Sequence, residues 1–143
     1  MNMNEEKHKQ IQQFFKKEPV EAVYLFGSRA KGRIGPMSDF DLGILFDSTL
    51  TADRRFKKRL QYIGYFSKLF KTDALDVVDL FEAPVFLKYE VVKHKKLLYV
   101  KSEATIMQFE KQAIDDYLDR LYYIKRHTVL GLEKLQKEYA ITT

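Results

Sequence analysis

A glycine–serine pair, a gap of ten residues and a pair of acids constrain this chain more than anything else in it. They are Gly27-Ser28 and Asp39-Phe40-Asp41. Before the glycine stands VEAVYLF (20–26), a β-branched and aromatic run that reads as a strand ending in a turn. DFDLGILF, Asp39 to Phe46, reads as a second strand. Strand side chains alternate between faces, so Asp39 and Asp41 point to the same side. Two carboxylates so placed repel each other and raise one pKa unless a cation lies between them. Mg²⁺ fits such a pair, because it takes oxygen ligands and usually keeps waters and substrate phosphates. Gly27 lets the backbone approach a ligand closely. Ser28 adds a hydroxyl beside the N–H groups of the following turn, which suits a phosphate. A third acid would complete the set. LDVVDL (75–80) offers Asp76 and Asp79, three apart and so on opposite faces. Asp76 is the preferred candidate, to accept the proton of an attacking hydroxyl, and Asp79 is the alternative.

The rest of the chain supplies a frame for these residues. Residues 4–17 read as a short helix ended by Pro19. Thr51 or Asp53 can cap a helix to Phe70, with Phe56, Leu60, Ile63, Phe66 and Phe70 as its apolar stripe. Leu75–Leu80 is the third strand, Pro84 can start a short helix, and Leu97–Val100 is the fourth strand. From about Ser102 a long amphipathic helix follows, with Gly131 as a candidate interruption. The expected fold is α/β (α+β): a small mixed sheet of about four strands flanked by helices, with a long C-terminal helix. Residues 1–100 are expected to form one domain and 101–143 a helical extension, packing on the domain or on a partner.

Charge and composition remove several classes of function. The net charge is +5, which invites a nucleic-acid reading. Residues 51–73, however, hold seven basic and two acidic residues and so carry the whole excess, whereas 19–50 hold three basic and four acidic. The basic cluster RRFKKR (54–59) is expected on the outer face of a packed helix, solvated or facing an acidic partner surface, and direct nucleic-acid binding is not expected. No Cys is present, so there is no disulfide, thiolate metal site or cysteine nucleophile. No run approaches the roughly 18 apolar residues of a membrane span. The first residues, MNMNEEKHKQ, are polar and acid-bearing, unlike a secretory signal or transit peptide, and a cytoplasmic protein is expected.

GSRAKGRIGPMSDFDL resembles the GS-x10-DxD signature of the minimal nucleotidyltransferases (MNT), a branch of the DNA polymerase beta-like superfamily. The resemblance continues through LDVVDL, the AP-x-x-x-KYEVVK helix and the LLYV strand, over roughly residues 20–100. It implies a nucleotidyltransferase-like fold and transfer of a nucleoside monophosphate from a Mg-bound triphosphate, ATP, to a hydroxyl. By that resemblance Gly27 and Ser28 contact the triphosphate, with Arg29 and Lys31 as further phosphate ligands. Asp39, Asp41 and Asp76 are the catalytic acids and hold two Mg²⁺ ions. The family further implies an antitoxin role beside a HEPN-family ribonuclease toxin, by adenylylation of a toxin tyrosine. Two alternatives stand: an antitoxin that only blocks its partner by binding, and transfer to a small molecule such as an aminoglycoside. About 40 residues of C-terminal helix are short for holding an antibiotic.

Overall fold

The computed structural model describes residues 4–27 and 40–142, with side chains through residue 138. Its elements run α1 (Glu5–Phe15), β1 (Val20–Phe26), β2 (Phe40–Phe46), α2 (Ala52–Phe70), β3 (Leu75–Asp79), α3 (Val85–Lys93), β4 (Lys96–Val100) and α4 (Glu103–Thr142). The strands form one mixed sheet in the order β3-β2-β1-β4. β1 is antiparallel to β2 and to β4, while β2 and β3 are parallel. The parallel pair requires a crossover, and α2 supplies it.

Strand alternation divides the core between the two faces of this sheet. On one face α1 and α2 bury Ile11, Phe15, Tyr62, Phe66 and Phe70 against Val23, Leu25, Leu42, Ile44 and Val77. Aromatic stacking fills this layer: Phe40 lies over Phe70 with ring centroids 4.1 Å apart, and Phe15 over Phe66 at 5.7 Å. On the other face α3 and α4 meet Ala22, Tyr24, Phe26 and Leu45 through Val91 and Ile106. The Tyr24 hydroxyl donates to Glu110 of α4 at 3.1 Å, and Lys95 pairs with the same carboxylate.

Local signals set the helix ends. Asn4 caps α1 by accepting the Lys7 N–H at 2.8 Å. Thr51, rather than Asp53, caps α2 by accepting from the Arg54 N–H. Lys71 closes α2 in the left-handed conformation at φ 55°. α4 runs through Gly131 without a break.

The stripe expected on α2 is only partly correct. Phe66 and Phe70 are buried and Ile63 is half-buried, but Phe56 and Leu60 are more than half exposed, and Tyr62 takes the buried position. In the first turns of α2 the side toward the sheet edge is occupied by arginines. Arg55 Nε donates to Asp79 Oδ2 at 2.7 Å, and Arg59 Nε donates to the Val77 carbonyl. Lys58 bonds Glu18 at 2.8 Å. Three of the five basic residues in 54–59 therefore bind groups within the fold, and Arg54 and Lys57 remain exposed.

Glu18 also accepts from the buried Tyr62 hydroxyl at 2.8 Å. Burial and this carboxylate push the Tyr62 phenol well above its ordinary value. Tyr62→Phe deletes the donor and leaves Lys58 on Glu18, so it is expected to cost about 1 kcal/mol in urea denaturation. A loss above roughly 3 kcal/mol would mean that Glu18 is left without adequate partners.

Beyond Tyr117 every described side chain of α4 is exposed, including Leu118, Leu121, Tyr122, Val129, Leu132 and Leu135. No helix among the described residues is long and apolar enough to cross a membrane.

Candidate active site

The carboxylates stand where the C-terminal end of β1 meets the N-terminal ends of β2 and β3. Asp41 is the second residue of β2 and Asp76 the second residue of β3, and the parallel register sets them opposite each other. On its other side Asp41 pairs with Phe26, the last residue of β1. The alternation that buries Leu42 and Ile44 under α2 turns Asp41 to the opposite face, which it shares with Leu45 and α3.

Gly27 completes the corner. Its φ of +78° lies in the left-handed region. A Cβ there would stand 2.2 Å from Asp41 Oδ2. The Asp41 carboxylate therefore occupies the space a side chain at 27 would fill, and glycine is required both by backbone conformation and by room.

Burial, and then the facing Asp76 carboxylate, hold Asp41 above its ordinary pKa. Two like charges set across one ladder rung are a standing repulsion that a cation would remove. Asp76 is the open member, with its side chain 55% exposed and Arg59 at 3.9 Å. Asp79 lies apart from this pair. Its side chain is 9% exposed, bonded to Arg55 at 2.7 Å, and accepts the Phe81 N–H at 2.9 Å. The fold thus brings Asp76, and not Asp79, to Asp41 and Gly27.

Ser28, Arg29, Lys31 and Asp39 lie outside the described residues. Among the described residues no group of three or more Asp, Glu or His stands together as a metal site. Two features of the neighbourhood could not be read from the sequence. Arg59 reaches Asp76 from α2, seventeen residues before it. A cavity of about 310 Å³ opens beside Asp76, with Phe56, Val78, Ala83, Pro84 and Leu87 as its apolar wall. The exposed Phe56 that departs from the expected stripe finds its place there. Arg59, Asp79 and Glu82 also line the cavity, and an acid such as Asp76 beside this partly apolar hollow can take a proton from a hydroxyl carried on an apolar side chain.

The family model described as polymerase beta, nucleotidyltransferase matches residues 9–104. No curated protein matches the sequence. Among solved structures, the fold is similar to a chain of a toxin–antitoxin crystal structure with AMP-PNP. Identity there is 24%, covering 90% of this chain and 97% of that one, with a TM-score of 0.65. It is also similar to a chain in the structure of a tri-AMPylated HEPN toxin of Shewanella oneidensis in complex with MNT antitoxin. That match has 21% identity, 90% and 97% coverage, and a TM-score of 0.63. A toxin–antitoxin structure of MntA and HepT matches at 21% identity over 90% and 97%, with a TM-score of 0.62.

Proposed function

The chain belongs to the polymerase beta nucleotidyltransferase family, and on that footing we propose that it transfers AMP from ATP to a tyrosine hydroxyl of a HEPN-family toxin, acting as its antitoxin. The observation that carries the reading is the Asp41–Asp76 pair at the Gly27 corner. Two facing carboxylates with one guanidinium, Arg59, on the outer member fit a divalent cation and a polyphosphate better than they fit a structural role. The likeness in fold to chains of toxin–antitoxin structures, one with AMP-PNP and one with an AMPylated toxin, supports the choice of nucleotide and partner.

Asp39 and Asp41, joined by Asp76, would hold Mg²⁺, which lowers the pKa of the incoming hydroxyl and offsets charge on the leaving pyrophosphate. Gly27 brings its backbone against the triphosphate, and Ser28, Arg29 and Lys31 bind the β- and γ-phosphates. The acceptor tyrosine enters the hollow beside Asp76, its ring against Phe56, Pro84 and Leu87. Its oxygen attacks the α-phosphorus, the bond from that phosphorus to the bridging oxygen of the β-phosphate breaks, and pyrophosphate leaves. Asp76 accepts the phenolic proton. Arg59, 3.9 Å away, orients the Asp76 carboxylate for that proton. Most of the work is positioning and electrostatics, as phosphoryl transfer requires.

The exposed half of α4 is the proposed grip on the toxin, since six or more large apolar side chains there are exposed. A chain ended at residue 120 is expected to fold and melt close to the full chain, yet to lose co-purification with the toxin. The deciding experiment mixes chain, toxin, Mg²⁺ and α-labelled ATP. Label on a toxin tyrosine supports transfer. Inhibition of the toxin with no label would establish the blocking reading instead.

A further inference from the structure

The two edges of the sheet are finished differently. At the β3 edge, Arg59 covers the Val77 carbonyl and Arg55 fastens the strand end at Asp79. At the other edge, β4 pairs with β1 on its inner side. Among the described residues no hydrogen bond from any other element reaches residues 97–100.

A groove of about 700 Å³ runs beside that edge. One wall is the flank of α1 that carries Lys9, Gln12 and Lys16, and the other is residues 97–101, all five in succession. Successive strand residues point to opposite faces, so a cavity touching five in a row follows the strand's edge rather than either face. The basic side chains on the walls are His8, Lys9, Lys16 and Lys101, and no carboxylate lines the groove.

We propose that this groove takes an acidic, extended segment of a partner protein, which adds to β4 as a fifth strand. The free edge offers alternating N–H and C=O groups, the complement of a peptide backbone, and the α1 flank leaves room for its side chains. Lysines beside an edge strand, as Lys9, Lys16 and Lys101 are here, also oppose unwanted pairing. Here they select: a second copy of this chain would bring the same lysines to the seam and be repelled, whereas an acidic strand is attracted. RNA would satisfy the charge but not the ladder. The groove lies at the opposite edge of the sheet from Asp76, so a segment seated in it acts as a second anchor for the partner, raising its effective concentration without entering the reaction. The inference stands on the edge and groove alone and does not depend on AMP transfer.

The test is fluorescence anisotropy of the intact chain with a labelled octapeptide of alternating glutamate and valine. Saturable binding is expected, weakened about tenfold or more by Lys9→Glu combined with Lys101→Glu, two exposed positions where charge reversal leaves the fold intact by circular dichroism. Two further peptides carry N-methyl groups on the odd or on the even residues. One of the two is expected to lose about tenfold or more in affinity, because only alternate N–H groups face β4. Equal binding by both methylated peptides and the parent would reduce the site to charge alone and overturn strand addition. So would no saturable binding, or tighter binding of a labelled oligouridine than of the peptide.

Discussion

Asp41→Asn is expected to abolish nucleotidyl transfer, by about a thousandfold or more, and at the same time to raise the melting temperature of the metal-free chain at neutral pH. The two effects have one cause. Burial and the opposed Asp76 hold the folded-state pKa of Asp41 above its ordinary 3.8, so ionising it opposes folding. The penalty is complete above the raised pKa, shrinks as pH falls through it, and is absent below the unfolded value, where both states are protonated. The stabilisation by asparagine should therefore be present at pH 7 and vanish near pH 3, as read from melts in chelator. Mg²⁺ should narrow the gap by stabilising the native chain while leaving the variant unmoved. A variant that melts below the native chain at pH 7 would show that Asp41 makes a stabilising contact, and the account of the pair would be wrong.

Gly27→Ala should strike both stability and catalysis. The left-handed conformation costs a residue with a Cβ roughly 1–2 kcal/mol, and the new methyl must displace the Asp41 carboxylate it would otherwise meet at 2.2 Å. A carboxylate moved by about an ångström is expected to lower kcat by about a hundredfold. The collision and the conformational cost separate in a double-mutant cycle. In an Asp41→Ala background the collision disappears and only the left-handed cost remains, so the alanine at 27 should destabilise less there than in the native chain. Additive losses in urea denaturation would show that the contact does not limit the corner.

Much of this arrangement was legible in the residues. The β-branched run into Gly27 and the apolar alternation after Asp41 placed both strands within a residue of their observed ends, because local pattern and burial agree there. The strand LDVVDL offered Asp76, the preferred candidate, and Asp79 as a third acid, and alternation put them on opposite faces without saying which one meets Asp41. The choice depends on the parallel register of β3 with β2 and on Arg55 binding Asp79 across 24 residues, and neither is a local property. The same long reach misled the reading of α2. Phe56 and Leu60 keep helical spacing with Phe66 and Phe70, yet the flank of α2 toward the sheet edge belongs to Arg55 and Arg59. A basic cluster read as an outer face is half used inside the fold, since spacing reports the face a helix could bury and not which ion partners will claim it.

The length of α4 has a mechanical consequence. From residue 118 to its end the helix runs 25 residues, a span of roughly 37 Å, which exceeds the radius of a domain of this size. A partner gripped along those turns is held on an outrigger, with leverage about the point where Ile106 and Glu110 fasten the helix to the sheet. Reach and azimuth then become independent settings. Inserting seven residues beyond Tyr117 extends the arm by about 10 Å with nearly the same side facing out, while inserting two swings that side by roughly half a revolution at almost the same reach.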